Sequence, residues 1–590
     1  MSQLGGRCCP ILGGGPAVNG PRRAEIHPQS RRQLAHFRSP RLWRAMASRE
    51  PFKGKATQNQ WEKLFLDCTR RYTSDLSIFG KTPVRFFCSI SSSRVQDNRF
   101  VRHSSEGETE LPSYTWPDNQ RPRVCILGGG FGGLYTALRL ESLVWPDDRK
   151  PQVLLVDQSD QFVFKPMLYE LLSGEVDDWE IAPSFTDLLK NTSVQFVKDR
   201  VKFIRPLDHL NHIEMGELGR SCSGGLVHLE SGIIIEYDWS LPQCSRLVLA
   251  LGAEAKLDVV PGSAEYAFPF LTLEDARKVN SKLTTLERQR FGKDSPPIHV
   301  AIVGCGYSGV ELAATISERL EDRGIIQAIN VETTICPNAP PGNREAALRV
   351  LQSRKTQLFL GYFVSCIKEV SASEDSVGMT RIGEEMSIDA KNHRNKFILE
   401  LQPAQRGLES QILEADIVLW TVGCKPVIPH LDPFDQSNTF PLNGRGQAET
   451  DETLRVRGHP RIFAIGDSAA LRDSSGKLLP ATAQVAFQQA DFAGWNLWAA
   501  INDRPLLPFR FQKLGEMMTL GRNDAAISPS FIESLTLEGP LGHAARKIAY
   551  LLRLPTDEHR IKVGISWLTK SVVDSVASLQ STVTKVISGS

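Results

Sequence analysis

Two glycine-rich turns are the first residues of the chain with an evident chemical use. The first turn has Gly128, Gly130 and Gly133, and Asp157 ends the next apolar run, VLLVD. Glycines at this spacing allow a tight turn and a close backbone approach to a pyrophosphate, and a terminal acid can accept hydrogen bonds from an adenosine ribose. The free N–H groups of the following helix favour phosphates. The pattern predicts a dinucleotide site, and a glycine-rich turn without a ligand is the alternative.

The second turn repeats the spacing with Gly304, Gly306 and Gly309, about 176 residues later. A strand NVETTI is expected after its helix. Where an acid would close that strand, the chain has ICPN over residues 335–338. A carboxylate there would repel the 2′-phosphate of NADPH, so its absence predicts that both NADH and NADPH are used.

A third element, RIFAIGDSAAL over residues 461–471, is expected to form a strand that ends at Gly466 and Asp467 and is followed by a helix of small residues. This arrangement would place the Asp467 carboxylate on a ribitol hydroxyl and a helix N-terminus near a pyrophosphate. Two shorter glycine signals accompany it: Gly252 in LALGA and Gly423 in TVG.

In this order, the three elements resemble flavoproteins with two dinucleotide-binding domains, over about residues 122–525. The resemblance implies that the first turn and the Gly466–Asp467 element hold FAD and that the second turn holds NAD(P)H. Disulfide reductases of this group need a redox cysteine pair in the FAD domain, but residues 126–221 contain no Cys. Sulfide:quinone reductases need reactive cysteines beside the flavin, whereas Cys305 and Cys336 lie in the second unit and are predicted to be packing residues.

Two further segments resemble the type II, or alternative, NAD(P)H:quinone oxidoreductases, and the long leader and the C-terminal details resemble the plant and cyanobacterial-like C-type of that family. One is QFVFKPMLYELLSGEVD over residues 161–177, in which Lys165 is assigned to cofactor binding and Gln161 replaces the family's usual His. The other is LPATAQVAFQQA over residues 479–490. Gln484 and Gln488 share a helix face at i and i+4, and neutral amides can donate to quinone carbonyls. Solvated glutamines on a helix packed under the flavin are the alternative.

Glu311 follows Gly309 by two residues, in a helix expected to face the flavin. We assign it to proton delivery or nicotinamide positioning, with a helix-capping or surface Glu as the alternative. The eleven cysteines are scattered and have neither a zinc spacing nor a regular disulfide pattern, so no metal site is predicted.

These residues require an α/β fold with two Rossmann-like dinucleotide-binding domains and a C-terminal amphipathic helical segment. We predict that each nucleotide-binding half is followed by a meander of strands, over 201–240 and 364–415. In chain order, we expect an organellar transit peptide and leader over 1–104 and a linker over 105–121. The FAD domain is expected in two parts, over 122–295 and 431–510, with the NAD(P)H domain between them over 296–430. A membrane-association segment, with the quinone-site helix before it, is expected over 511–590.

Charge and hydropathy limit the partners. Residues 1–50 contain nine Arg and no Lys against two Glu, which is typical of a transit peptide; a basic tail without targeting function is the alternative. Because the whole chain has a net charge of only +2, the remainder is mildly acidic, which argues against nucleic-acid binding. No apolar run reaches the roughly 18–20 residues needed to span a bilayer.

The C-terminal segment has an apolar stripe at helical spacing, and residues 540–590 carry seven Lys or Arg against three acids. A basic amphipathic helix lying on a membrane surface fits this pattern, and packing against the FAD domain or a dimer partner is the alternative. The stripe consists of Ile561, Ile565, Leu568, Val572, Val576, Leu579, Val583 and Val586.

Together, residues and resemblance predict an FAD enzyme that passes two electrons from NADH or NADPH to a membrane prenylquinone of the plastoquinone, ubiquinone or naphthoquinone type, without pumping protons. A peripheral membrane location in chloroplast, mitochondrion or both is expected, and homodimer formation stays open. A reductase of a soluble acceptor, such as a ferredoxin or a monodehydroascorbate-like radical, is the alternative enzyme. An apoptosis-inducing-factor-like flavoprotein that acts through partner binding is the non-enzyme alternative.

Overall fold

The computed structural model describes residues 112–118, 120–146, 149–206, 225–237, 246–292, 295–370, 397–405, 407–431, 440–532 and 535–588, with side chains up to residue 573. The predicted leader over 1–104 lies outside the described residues, as do residues 105–111 and 119 of the predicted linker. Among the helices described, none is both long and apolar enough to cross a membrane.

The first glycine-rich turn lies in a five-stranded parallel sheet. The strand before the turn is central, and the strand that ends at Asp157 pairs with it in register, Val124 opposite Val153. Both strands are buried almost throughout, as expected when helices cover both faces of a parallel sheet. In spatial order the strands are Ile462–Ala464, Arg246–Leu249, Arg123–Leu127, Gln152–Asp157 and Gln195–Lys198.

The second turn lies in a sheet of the same design, again with the strand before the turn at the centre. One strand at its edge, Ala267–Pro269, comes from the range predicted for the first part of the FAD domain and pairs in parallel with Ile417–Trp420. In spatial order the strands are Gln357–Leu360, Gly324–Asn330, Ile298–Val303, Ile417–Trp420 and Ala267–Pro269. The predicted duplication of the nucleotide fold is therefore confirmed.

Smaller sheets complete each unit, and the meanders predicted over 201–240 and 364–415 are confirmed in their described parts. One sheet consists of His430–Leu431, Val201–Arg205, Leu226–Leu229 and Ile234–Glu236, and another of Tyr362–Glu369, Phe397–Pro403 and Gln411–Ala415. The others are Cys424–Pro426 with Ala253–Ala255, Ala448–Glu449 with Ala469–Ala470, and the antiparallel strands Gly515–Thr519, Ala525–Pro529 and Leu537–Glu538.

The α-helices cover these sheets. In chain order they are α1 (Phe131–Ser142), α2 (Tyr169–Ser173), α3 (Asp178–Ile181), α4 (Phe185–Leu189), α5 (Ser263–Tyr266), α6 (Leu273–Gln289), α7 (Tyr307–Leu320), α8 (Pro341–Ser353), α9 (Ala483–Ile501), α10 (Gly539–Leu551) and α11 (Asp557–Ser588). In the described part of the chain, short 3-10 helices lie at Lys165–Met167, Glu321–Arg323 and Gly466–Ser468.

Two predicted boundaries are wrong. The strand expected to run through NVETTI ends at Asn330. Its β-branched residues favour a strand, but the Asn330 side-chain amide donates to the Thr334 carbonyl at 2.8 Å, and such side-chain to backbone bonds compete with a sheet ladder. The small-residue helix expected after Asp467 is absent, because Ala469–Ala470 pairs in parallel with Ala448–Glu449.

Each glycine-rich turn is held by one close contact between its first and last glycine. A Cβ atom on Gly133 would lie 1.8 Å from the Gly128 carbonyl oxygen, and a Cβ on Gly309 would lie 1.8 Å from the Gly304 oxygen. The middle glycines differ, because a Cβ on Gly306 would meet nothing within 4 Å. The outer glycines are thus required for packing, whereas Gly306 leaves open space at a helix N-terminus.

This contrast predicts the stability of two variants. Gly309→Ala should destabilise the protein by about 1–3 kcal/mol, because α7 must move away from the turn to admit the methyl group. Gly306→Ala should unfold close to the parent temperature, since its methyl group meets no atom. Thermal unfolding of the two variants checks the prediction, which fails if both unfold at the same temperature.

Candidate nucleotide and quinone sites

The first turn brings its backbone and Asp157 together. The Gly129 N–H donates to Asp157 Oδ2 at 2.6 Å, and the Ser159 N–H donates to Oδ1 at 2.8 Å. Gly130 stands just before α1, and a Cβ there would meet nothing within 4 Å. The open space at a helix N-terminus fits a pyrophosphate, and the fixed carboxylate beside it fits a ribose.

Lys165 connects this turn to the Gly466–Asp467 element. Burial raises the pKa of Asp157 and also the pKa of Asp467, and in both cases the Lys165 charge opposes the rise. Lys165 therefore lies near two carboxyl groups that are about 300 residues apart in the chain. An ammonium group whose charge acts on two half-buried carboxyl groups suits a polar, charged cofactor.

The two shorter glycine signals meet at the same place. Gly252 and Gly423 both have positive φ, and the Gly252 N–H donates to the Ser468 hydroxyl at 3.1 Å. The Gly466 N–H donates to the Gln489 side-chain oxygen at 2.7 Å. Gln489 is almost fully buried. We missed this residue in the sequence, although a Gln among the apolar positions of α9 was a usable signal.

The second turn has the same geometry with a different charge. The Gly304 N–H donates to the Ile329 carbonyl just as the Gly128 N–H donates to that of Val156, so Asn330 occupies the position of Asp157. The Cys305 N–H donates to Asn330 Oδ1 at 3.1 Å. The missing acid is therefore confirmed, but its position is residue 330 and not residues 335–338.

Glu311 is buried in α7, and only 7% of its surface is exposed. It accepts a hydrogen bond from the Thr519 N–H at 2.9 Å, so it binds another element and does not cap its own helix. The surface alternative is wrong. Burial raises the pKa of Glu311 to about 7, against the attraction of Arg546. A carboxyl group with this pKa can give and take a proton near neutral pH.

Gln484 and Gln488 share a face of α9, as predicted, and each holds the backbone of residues 512–515. The Gln484 amide donates to the Gly515 carbonyl and accepts from the Leu514 N–H, both at 3.1 Å. The Gln488 amide donates to the Gln512 carbonyl at 2.8 Å and accepts from its N–H at 3.0 Å. Their amides are thus occupied by protein partners, and their contact with a quinone stays a prediction.

The two cysteines of the second unit are packing residues. Cys305 and Cys336 are buried, and burial raises the pKa of both thiols, that of Cys305 to about 12. Among the described residues, no group of three or more His, Cys, Asp or Glu could hold a metal ion.

The final helix, α11, contacts the protein through both apolar and polar side chains, since Val563 is fully buried, and it leaves other apolar side chains exposed. Ser566 donates to Glu180 Oε1 at 2.6 Å, and Lys570 donates to Glu180 Oε2 at 2.9 Å. The first four residues of the predicted apolar stripe are 61–70% exposed, and the other four lie beyond the described side chains. Leu541, Ile548 and Leu552, near or within α10, are exposed as well.

Comparisons with known proteins agree with this arrangement. The pyridine nucleotide-disulphide oxidoreductase family model matches residues 122–490. The chain is 68% identical over 499 residues to the alternative NAD(P)H-ubiquinone oxidoreductase C1, chloroplastic/mitochondrial, of Arabidopsis thaliana. The aligned residues cover 85% of this chain and 90% of that protein. The chain belongs to the type II NAD(P)H:quinone oxidoreductases. The expected family and α/β fold are therefore confirmed.

A more distant relative of the same family is the demethylphylloquinone reductase NdbB of Synechocystis, which is 39% identical over 77% of this chain and 97% of that protein. Among solved structures, NDH2 of Plasmodium falciparum in complex with NADH has a TM-score of 0.58 at 16% identity, over 76% of this chain and 98% of that one. This structural likeness supports the fold alone.

The position of Lys165 gives a prediction on cofactor retention. Lys165→Met removes the one cation that acts on both Asp157 and Asp467, so FAD should bind at least about tenfold more weakly, or ~1.4 kcal/mol. Lys198→Met is the control, because Lys198 is exposed and pairs with Asp160. FAD titration of the two variants gives the answer, and equal dissociation constants would contradict the assignment of Lys165.

Proposed function

We propose that the protein oxidises NAD(P)H and reduces a membrane prenylquinone with FAD as its resident cofactor, without pumping protons. The observation that carries this proposal is the pair of turns with the same geometry in one chain, only one of which has Lys165 and the Gly466–Asp467 element beside it. The relatives named above act on ubiquinone and demethylphylloquinone by name. Plastoquinone, ubiquinone and naphthoquinones are the candidate acceptors.

The residues present fit FAD in the first unit. Gly128, Gly130 and Gly133 leave room for the pyrophosphate at α1, and Asp157 would accept hydrogen bonds from the adenosine ribose. Lys165 and Asp467 would hold the polar linker, and Gly252 and Gly423 keep backbone close to it. When bound, FAD accepts a hydride from NAD(P)H and passes two electrons to the quinone.

Glu311 is the proposed proton donor. Reduction of a quinone to a quinol takes two electrons and two protons, and the hydride of NAD(P)H supplies two electrons and one proton. We assign the delivery of the other proton to a group on the protein, which solvent then reprotonates. Glu311 is suited to this task because it is buried, is held by the Thr519 N–H and has a pKa of about 7.

The second unit is proposed to take both NADH and NADPH at Gly304, Gly306 and Gly309. Asn330 holds the turn as Asp157 does in the first unit, but it carries no charge that would repel a 2′-phosphate. The next acid along the chain, Glu332, is exposed. The turn thus keeps its shape without discriminating against NADPH.

Restoring the acid should restore the discrimination. Asn330→Asp should lower kcat/KM for NADPH about tenfold relative to NADH, because a carboxylate then faces the 2′-phosphate. Asn338→Asp is the matched control, since Asn338 is exposed and lies in the segment where the sequence alone placed the missing acid. Steady-state kinetics with both nucleotides test this. If Asn338→Asp changes the ratio and Asn330→Asp does not, the assignment is wrong.

The quinone site is proposed at the face of α9 that carries Gln484 and Gln488. Their amides hold the backbone of residues 512–515, and this segment leads into the strand whose Thr519 N–H binds Glu311. The glutamines therefore lie on the same stretch of structure as the proposed proton donor. A quinone carbonyl, which can only accept, would reach their amide N–H groups by replacing the backbone carbonyls of Gln512 and Gly515.

The choice of acceptor can be tested on α9. Gln488→Leu removes the amide N–H group that is proposed to donate to a quinone carbonyl. Because a lost hydrogen bond of about 1.4 kcal/mol is a tenfold effect on a rate, reoxidation of the flavin by a quinone should slow about tenfold relative to its reduction by NADH. Gln512→Leu is the control, because it keeps the backbone groups that Gln488 binds and changes an exposed side chain. Stopped-flow measurement of flavin reduction by NADH and of flavin reoxidation by quinone tests this prediction. If Gln488→Leu reoxidises as fast as the parent, a soluble acceptor becomes the better proposal.

Membrane association is proposed through the exposed apolar side chains of the C-terminal helices. We call Leu541, Ile548, Leu552, Ile561, Ile565, Leu568 and Val572 the C-terminal apolar surface. Since the polar side of α11 is fixed to Glu180, this surface faces away from the contacts that hold the helix. A lipid surface is its proposed occupant, because a prenylquinone lies in lipid and the surrounding segment is basic.

Charge substitution should separate this surface from other exposed apolar residues. Ile561→Asp with Ile565→Asp should lower binding to vesicles that contain anionic phosphatidylglycerol at least tenfold. Ile412→Asp should bind as the parent does, because Ile412 is equally exposed but lies on a distant strand. Vesicle sedimentation gives the bound fraction. If vesicle binding is unaffected and the variant instead dissociates from a dimer, a second copy of the chain covers the surface.

The proposed location is the chloroplast, the mitochondrion or both. The Arg-rich, acid-poor leader supports organellar import, and the Arabidopsis relative is named chloroplastic/mitochondrial.

A further inference from the structure

Helix α10 brings an arginine into the interior of the protein. Arg546 is the largest fully buried side chain among those described. Its guanidinium forms an ion pair with Glu170 of α2, which is also buried, and donates to the Pro166 carbonyl at 3.4 Å. The ring of Tyr550, one turn further along α10, lies 4.8 Å from the guanidinium carbon. A C-terminal helix thus supplies a cation to the region beside α7.

This cation is only partly satisfied by its neighbours. Within the described residues, Nε and Nη1 of Arg546 and Oε2 of Glu170 have no hydrogen-bond partner. The helix of Glu170 is joined to α7, because Tyr169 donates to the Ser308 hydroxyl at 3.0 Å. A second buried carboxyl group, Glu311 of α7, experiences the charges of both Arg546 and Glu170. One guanidinium therefore serves two buried carboxyl groups.

We propose that Arg546 is a positioning residue for proton delivery: the C-terminal segment supplies the counter-ion that sets the proton affinity of Glu311. The inference rests on the proposed role of Glu311 as the donor. It goes further, because it assigns part of the proton site to the segment that also carries the C-terminal apolar surface.

The electrostatic argument has a definite sign. Burial disfavours a carboxylate, a nearby cation favours it, and a nearby carboxylate disfavours it again. Burial is the largest influence on the pKa of Glu311, the attraction of Arg546 comes second, and the repulsion of Glu170 is smaller. The titratable and charged groups that face Glu311 are Tyr169, Glu170, Tyr307, Cys336, Arg546 and Tyr550. Among these groups Arg546 is the only cation.

Without α10, Glu170 and Glu311 would be two buried carboxyl groups with no cation beside them. Glu311 would then favour the protonated form more strongly, and it would become a poorer donor near neutral pH because its acidity would no longer match the working pH. With α10 in place, Glu311 can release a proton to the quinone and recover it from solvent. The proton site is thus complete only when the C-terminal segment is docked.

The test measures the pH dependence of flavin reoxidation by a short-chain quinone in the full-length holoprotein. If Glu311 must be protonated, the rate falls as pH rises through its pKa. Arg546→Met should move this fall to higher pH by about one unit, and Glu170→Gln should move it to lower pH. In Arg546→Lys, which keeps the positive charge, the rate should fall at nearly the same pH as in the parent. Lys562→Met, which removes an exposed charge of the same segment, should not move it.

Infrared titration of the protonated carboxyl band, assigned by its loss in Glu311→Gln, should show the same opposite shifts without turnover. The double variant Arg546→Met with Glu170→Gln leaves neither partner buried alone. In this variant the carboxyl band of Glu311 should titrate at a higher pH than in the parent, since the attraction of Arg546 exceeds the repulsion of Glu170. This variant keeps the test valid if Arg546→Met alone fails to fold.

The outcomes separate the two claims. A pH dependence that survives in Glu311→Gln refutes Glu311 as the donor, and with it the inference. A pH dependence that is lost in Glu311→Gln but unmoved in Arg546→Met, Glu170→Gln and the double variant refutes the inference alone. Lower rates at every pH without a shift would show that Arg546 only packs the helix.

Discussion

The close contact between the first and last glycine of each turn is the constraint on which both sites depend. It brings α1 and α7 against the ends of their strands, so that each helix N-terminus points at open space. It also fixes the next strand, whose last residue accepts a backbone N–H of the turn, Asp157 in the first unit and Asn330 in the second. One steric requirement, used twice, therefore positions the residues proposed to hold two different nucleotides.

The two units differ in charge more than in shape. Asp157 is charged, and Lys165 approaches it from a neighbouring segment, whereas Asn330 keeps the same hydrogen bond without charge. Buried charged side chains also connect α10 and α11 to the preceding part of the protein. These side chains are Glu170, Glu180 and Arg546. Since a buried charge is costly unless it is paired, these contacts hold the helices in one arrangement.

Local patterns were sufficient to predict both turns, Asp157 and the strands around them, because glycine spacing and apolar runs act over short distances. The end of the strand Gly324–Asn330 could not be predicted, because the residues after it are mostly β-branched and favour a strand. The Asn330 side-chain amide instead closes a loop there. The partners of Gln484 and Gln488 depend on a segment about 30 residues further along the chain. The buried position of Arg546 depends on Glu170, 376 residues earlier. Such long-range pairs leave no periodic trace in the sequence.

The order of the strands along the chain has a consequence for synthesis on the ribosome. The sheet of the second unit uses strands that lie between Ala267 and Trp420, so all of them emerge in one continuous stretch. The sheet of the first unit has four strands that end by Leu249 but acquires its fifth, Ile462–Ala464, only after the whole second sheet has emerged. The nascent chain can therefore complete the later unit first, while the earlier one waits with an unpaired edge that needs protection from aggregation.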